Sequence, residues 1–77
     1  MIEVTLYGDV KAKVMEQFPD VSSIMTLEYV EGEQFQELLG RLGLSMENVG
    51  NCYINIKPAK PDTVLHDHDA IELNQNQ

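Results

Sequence analysis

Apolar and polar residues alternate along several short stretches of the chain. The alternation covers residues 2–7, 24–30, 52–57 and 70–73, and a period of two residues is typical of strands with one buried face. A shorter apolar pair at 64–65 predicts a brief element at the edge of a sheet. The residues that this pattern turns toward the core are Ile2, Val4, Leu6, Met25, Leu27, Tyr29, Cys52, Ile54, Ile56, Ile71 and Leu73.

One stretch follows the helical period instead. Four apolar residues recur at intervals of three and four positions, which predicts a single apolar stripe on a helix over residues 33–42. Glu33 in its first turn and Arg41 in its last would both suit the helix dipole. We expect Gly43 to take the left-handed conformation that ends the helix, and Gly40 to mark a close approach to the sheet. The stripe consists of Phe35, Leu38, Leu39 and Leu42.

A second, shorter helix is predicted near the start of the chain. Val10, Val14 and Phe18 are spaced four residues apart, and Asp9 before them is a suitable N-cap. Because proline cannot continue a helix, Pro19 is expected to end it.

Turn-forming residues separate the other elements. Gly32 predicts a turn ahead of the main helix. Pro58 and Pro61 predict a loop that cannot join a central strand, because proline lacks the N–H that a sheet requires. Residues 66–69, His-Asp-His-Asp, predict a turn in which aspartates accept backbone hydrogen bonds.

The order of the elements predicts an α+β fold. One main helix packed on one face of a mixed sheet of four to five strands accommodates every apolar stripe. The helix after the second strand is long enough to return the chain to the sheet by a right-handed crossover. We therefore predict the β-grasp arrangement of ubiquitin, in a single domain over residues 1–77 whose last four residues form a flexible polar tail.

Composition and charge restrict the function classes. The chain has 77 residues, of which 13 are acidic and five basic, and its net charge is −8. Such a balance repels phosphate backbones and anionic lipid, so we expect no nucleic acid and no membrane as partner, and a basic protein surface suits it better. One cysteine permits neither an internal disulfide nor an all-cysteine metal site. With no apolar leader or membrane segment, a cytoplasmic location is expected.

Four stretches together resemble the ThiS/MoaD family, the small sulfur carriers of thiamine and molybdopterin biosynthesis. VTLYGDVKAKV is similar to the family's opening strand and short helix, and VEGEQFQELLGRLGLS to its main helix with the Leu-Gly-Leu end. CYIN matches the family's Val-x-Val-Asn, and VLHDHDAIEL its closing Leu-x-Asp-Gly-Asp-x-Val-x-Leu. The likeness covers nearly the whole chain in order and implies the β-grasp fold.

Three positions inside the domain depart from the family pattern. The family's Asn-Gly hairpin is Asn55-Ile56 here, and because a β-branched residue resists positive φ, we expect the bend to move to residues 57–60. His68 replaces a turn glycine, so it must either adopt a left-handed conformation or reshape the turn. Gln34 replaces the threonine that caps the helix, which leaves the cap to other groups.

The largest departure is the tail, Asn-Gln-Asn-Gln at residues 74–77. Active members of the family end in Gly-Gly, whose carboxylate is adenylated and converted to a thiocarboxylate. Glycine can thread a narrow channel, whereas carboxamides add bulk and polar groups that must be desolvated. The resemblance therefore implies a protein-binding module, with Asn74 and Gln77 among its contacts and an adenylyltransferase-like or synthase subunit as partner. The alternative is a genuine sulfur carrier, either truncated at Gln77 or activated by an unusual route.

Tyr7 and Tyr53 are further candidates for partner binding. Strand parity assigns both to the sheet face opposite the helix, together with Glu3, Thr5 and Asn55. Aromatic residues on an open face are enriched at protein interfaces, although cross-strand packing also explains them.

Other reactive residues suggest little chemistry. His66 and His68, with the aspartates beside them, allow metal binding as a third function, but two histidines are at best half of a site. Cys52 fits a small buried hydrophobe. With neither a phosphate-binding loop nor a nucleophile elbow in the sequence, we predict no enzyme activity, no cofactor and no catalytic residue.

Overall fold

Five short strands form one mixed sheet in the computed structural model, which describes residues 1–75. The strand order is β2-β1-β5-β3-β4; β1 and β5 pair in parallel, and every other neighbouring pair is antiparallel. The strands are β1 (Ile2–Leu6), β2 (Ile24–Leu27), β3 (Tyr53–Ile54), β4 (Lys57–Pro58) and β5 (Ala70–Leu73). The predicted α+β class with a mixed sheet is confirmed, and no helix within residues 1–75 is long and apolar enough to cross a membrane.

The strand register turns one set of side chains into the core. Val4 lies opposite Ile71 on one side and Met25 on the other, and Ile54 continues the row beyond Ile71. Of the eleven predicted core residues, ten are buried or packed against the core, and Ile56 is the exception. Strand alternation therefore identified the buried face correctly in β1, β2 and β5.

Two α-helices and a short 3-10 helix, Met46–Asn48, accompany the sheet within residues 1–75, and the predicted main helix is the shorter of the two α-helices. Helix α1 spans Gly8–Gln17, ten residues, and buries Val10 and Val14. Asp9 lies in its first turn rather than at the N-cap, which is Tyr7, and Phe18 is 41% exposed instead of continuing the stripe. Phe18 follows the last helical residue, so the four-residue spacing no longer directs it inward.

Helix α2 spans Phe35–Arg41 and buries the predicted stripe. The N-cap residue is Gln34, which forms a capping box with Glu37 rather than leaving the cap to other groups: its backbone N–H donates to Glu37 Oε1 at 2.9 Å. Gly43 takes the left-handed conformation at φ 74°, and Leu44 N–H donates to the Leu39 carbonyl at 2.9 Å. This is the Schellman ending that the sequence predicts, with Leu44 buried over it.

Glu33 does not lie in the first turn of α2, because the helix starts two residues later. Its buried carboxylate instead accepts a hydrogen bond from Arg41 Nη2 at 2.6 Å. The pair therefore spans the helix from the residue before its N-cap to its last turn, and the burial of Glu33 is compensated by a charged partner.

Gly40 does not mark a close approach to the sheet. It lies on the exposed side of α2, and a Cβ added there would meet nothing within 4 Å. The leucines of the helix, Leu38 and Leu39, share the core cluster with the strands.

The hairpin between β3 and β4 turns at Asn55 and Ile56, so the prediction of a bend at residues 57–60 is wrong. Both residues have positive φ, 52° and 75°, as a two-residue type I′ turn requires. Ile56 is consequently 88% exposed and does not face the core. Asn55 anchors the turn through its side chain, which accepts from Ala70 N–H at 2.9 Å and donates to Asp69 Oδ1 at 2.8 Å.

The turn at residues 66–69 forms without a glycine. His68 adopts the left-handed conformation at φ 70°. The buried carboxylate of Asp69 accepts a hydrogen bond from His66 N–H at 2.8 Å, as predicted for a turn aspartate. The predicted edge element at 64–65 consists of an isolated bridge between Val64 and Gln34.

Replacing Ile56 by glycine should stabilise the domain by about 1 kcal/mol. A left-handed conformation strains a β-branched residue but not glycine, and the exposed side chain contributes little burial. Urea denaturation measures the change, with Ile56→Val as the control that keeps the β-branch and the strain. An Ile56→Gly variant no more stable than Ile56→Val would contradict the assigned turn.

Two glycines of the second helix should respond to alanine in opposite directions. Gly40→Ala removes backbone freedom at an open helical position and should stabilise the domain by about 0.5–1 kcal/mol. Gly43→Ala should destabilise it, since φ is +74° and the new Cβ would collide with the Gln17 side chain. Thermal unfolding of both variants provides the comparison. If both substitutions raised or both lowered the unfolding temperature, the assigned helix end would be wrong.

Candidate functional site

A groove lies at one edge of the sheet, where the central strands end. Because β1 and β5 are parallel, Leu6 and Leu73 reach this edge side by side, and Tyr7 N–H donates to the Leu73 carbonyl at 3.1 Å. Strand β3 runs antiparallel to β5, so the residues before it arrive at the same edge. The groove has a volume of about 380 Å³. We call it the tyrosine groove; its lining residues are Tyr7, Gly8, Asn51, Tyr53, Asn74 and Gln75.

Three of the four predicted partner-binding residues meet in this groove. Tyr7 directly follows β1, Tyr53 lies in β3 and Asn74 directly follows β5, so the three are up to 67 positions apart in the sequence. The fourth, Gln77, lies outside the described residues. The tyrosines were predicted from strand parity and Asn74 from the tail, and all three line the same groove. The groove is therefore the leading candidate site.

The two tyrosines flank a carboxylate. Glu72 pairs across the sheet with Tyr53, and its Oε1 atom lies 3.4 Å from the hydroxyl of Tyr7. Tyr7 is 43% exposed and Tyr53 is half-buried. Both tyrosine rings are therefore partly accessible at the surface.

The sheet surface that continues from the groove carries only negative charge among its strand residues. We call this surface the open face. Glu3 and Glu72 are its charged members, and no strand residue on it is basic within residues 1–75. The outward-facing strand residues are Glu3, Thr5, Ile24, Thr26, Tyr53, Pro58, Ala70 and Glu72.

The first two residues of the predicted flexible tail are hydrogen-bonded to the domain. Asn74 Nδ2 donates to the Asn51 carbonyl at 2.8 Å, and the Asn74 carbonyl accepts from Gly50 N–H at 2.8 Å. Gln75 Oε1 accepts from Asp9 N–H at 2.8 Å, which satisfies one free donor at the start of α1. Flexibility of the tail stays a prediction, but these bonds fix one wall of the groove.

Gly8 is the residue that makes room for this wall. Its φ of +53° lies in the left-handed region, and a Cβ there would come within 2.7 Å of Gln75 Oε1. A larger residue at position 8 would therefore be strained and would push the Gln75 side chain out of the groove.

Cys52 lies beneath the groove and behaves as a small hydrophobe, as the alternation predicts. It is buried, and burial raises the pKa of its thiol while a hydrogen bond from the Asn74 backbone opposes the shift. A protonated, buried thiol is a poor nucleophile, so Cys52 contributes packing rather than reactivity.

The His-Asp-His-Asp turn uses its carboxylates for structure. Asp69 is engaged by His66 N–H and by Asn55, and a hydrogen bond from the amino group of Met1 holds the pKa of the Asp67 carboxyl below its usual value. Within the described part of the chain, no three His, Cys, Asp or Glu side chains are grouped to hold a metal ion.

Sequence reasoning missed Gly8, Asn51 and Gln75 as groove residues. Gly8 and Asn51 adjoin predicted strands, and a parallel pairing of the first and last strands would have located Gly8 at this edge. No sequence pattern distinguishes Gln75 from the other amides of the tail.

Comparisons with protein-family models, with characterised proteins and with solved structures return no match.

Proposed function

We propose that this domain is a β-grasp protein related to the ThiS/MoaD sulfur carriers and that it acts by binding a protein partner through the tyrosine groove and the open face. The observation that carries the proposal is the convergence of Tyr7, Tyr53 and Asn74 on one concave, acidic edge of the sheet. The partner is an adenylyltransferase-like or synthase subunit that presents a basic surface.

The sheet topology supports the β-grasp assignment. The first and last strands pair in parallel at the centre of the sheet, and an antiparallel strand lies on the outer side of each. A helical crossover follows β2, and the hairpin β3–β4 forms the far edge. The left-handed conformations of His68 and Asn55 occur at the positions where the family motifs have their turns.

The surface chemistry supports a binding role. Exposed tyrosines are favoured at protein interfaces because they bury a large area with little loss of side-chain freedom. The net charge of −8 and the carboxylates of the open face favour encounter with a basic partner. A half-open groove of about 380 Å³ suits one or two side chains of a partner better than a large cofactor.

The alternative function, carriage of sulfur on the terminal carboxylate, requires the segment after β5 to extend away from the domain into an enzyme channel. Asn74 and Gln75 instead make side-chain hydrogen bonds to the domain. Extending them would break these bonds, which favours binding over delivery. Mass spectrometry after incubation with an adenylyltransferase, ATP and a sulfur donor separates the two, because only a carrier gains the mass of an oxygen-to-sulfur exchange.

Truncating Tyr53 should weaken partner binding. A photoreactive phenylalanine analogue incorporated in place of Tyr53 would cross-link the partner in cells, and the identified protein would then be purified for titration. We expect Tyr53→Ala to raise the dissociation constant roughly tenfold, the effect of losing an aromatic anchor.

Val30→Ala is the matched control, since Val30 is an exposed apolar residue outside the groove. Both variants are first checked for unchanged unfolding midpoints. A purified partner that binds Tyr53→Ala and the parent domain equally would overturn the proposed interface.

A further inference from the structure

We propose that the tyrosine groove takes the guanidinium group of an arginine from a basic segment of the partner, with Glu72 as its counter-ion and the rings of Tyr7 and Tyr53 as its flanking surfaces. This inference rests on the proposed binding function and adds the chemical group that is recognised.

Glu72 has unused capacity to accept hydrogen bonds. Its carboxylate makes one long hydrogen bond, 3.4 Å, to the hydroxyl of Tyr7. A carboxylate offers acceptor sites on both oxygens, so most of its sites remain free for a ligand. Among the described residues, the ion pairs formed by the chain's own cations involve Glu33 and Asp67, not Glu72.

The flanking tyrosines add a second recognition element. Tyr53 lies directly across the strand pair from Glu72, and Tyr7 reaches the same carboxylate from the end of β1. An aromatic face attracts a cation through its quadrupole, and the attraction grows where solvent is partly excluded. Glu72 does not line the groove itself but adjoins both of its tyrosines, by strand pairing with Tyr53 and by the contact with the Tyr7 hydroxyl. A carboxylate beside two phenol rings is a site for a cation that has both charge and a flat surface.

A guanidinium fits this arrangement better than an ammonium. It is planar, stacks on aromatic rings, and presents several N–H donors in a fixed fork that matches a carboxylate. The remaining groove residues supply amide groups at Asn51, Asn74 and Gln75, whose oxygens are acceptors for outward-pointing N–H groups. A lysine ammonium would pair with the charge of Glu72, but it could neither stack on the tyrosine rings nor present a fixed pair of donors to the carboxylate.

The electrostatics of the surroundings agree with this choice. Glu3 shares the open face with Glu72, and Asp9 lies exposed at the start of α1 beside the groove. Lys11, the first basic residue of α1, hydrogen-bonds to Ser23 Oγ at 2.9 Å and does not line the groove. An arginine from outside therefore meets the acidic side chains of Glu3, Glu72 and Asp9 around the groove.

The groove is also held open before a ligand arrives. The hydrogen bonds of Asn74 to the Asn51 carbonyl and of Gln75 to the Asp9 N–H fix the two tail residues that line it. Such pre-organisation reduces the entropy lost on binding.

The test is an NMR titration of the full chain with three capped tripeptides, Gly-Arg-Gly, Gly-Lys-Gly and Gly-citrulline-Gly. Citrulline has nearly the shape of arginine without its charge. We expect saturable shifts from the arginine peptide in the millimolar range, concentrated at the backbone amides around Tyr7, Tyr53 and Glu72. The lysine peptide should bind more weakly, and the citrulline peptide should give no saturable shifts.

Matched charge variants separate a specific site from general attraction. Glu72→Gln should weaken the arginine peptide roughly fivefold, the effect of removing one partner of a partly exposed ion pair. Glu31→Gln removes the same charge from an exposed turn outside the groove and should change nothing. Equal effects of the two variants would overturn the proposal, as would equal binding of the citrulline or lysine peptide.

Failure of this inference is distinguishable from failure of the proposed function. If the purified partner depends on Tyr53 but no arginine peptide binds, the guanidinium assignment is wrong and the interface stands. If the arginine peptide binds at Glu72 while the partner ignores Tyr53→Ala, the cation site stands and the proposed interface is wrong.

Discussion

Parallel pairing of β1 with β5 is the interaction on which the rest of the structure depends. It joins the two ends of the chain at the centre of the sheet, with Val4 opposite Ile71 and Leu6 opposite Leu73. Because parallel strands leave a sheet at the same edge, this one pairing brings Tyr7 to residues 74 and 75 and creates the tyrosine groove. A shift of one residue would turn Ile71 outward and bury Glu72, so the hydrophobic effect and the charge of Glu72 fix the same register.

Much of the fold could be predicted from the sequence, because the spacing of apolar residues along a strand or helix shows which of its faces is buried. Alternation identified the inward faces of β1, β2 and β5, and the leucine stripe located α2. The failures occurred where tertiary structure overrides local preference. At Ile56 the hairpin register forces a left-handed conformation that a β-branched residue disfavours. The alternation of apolar and polar residues continues through position 56, so it gave no sign that the chain turns there.

The candidate site was predictable only in part. Strand parity assigned Tyr7 and Tyr53 to one face, and the groove contains both. Gly8 and Asn51 required the pairing of strands far apart in sequence, which periodicity does not encode. The position of Gln75 in the groove depends on the hydrogen bond that its side chain accepts from the Asp9 N–H, and neither composition nor residue spacing predicts that contact. Strand parity assigned Glu3 to the open face, whereas its proximity to Glu72 follows from the parallel register, in which Glu3 lies opposite Ala70 and Glu72 opposite Thr5.

Solution NMR of the full chain tests the central claim most directly, through contacts between β1 and β5. The parallel register predicts nuclear Overhauser effects between Val4 and Ile71 and between Leu6 and Leu73. It also predicts slow hydrogen exchange of the Tyr7 amide, which donates to the Leu73 carbonyl. Absence of these contacts, or contacts displaced by one residue so that Glu72 points into the core, would contradict both the groove and the function inferred from it.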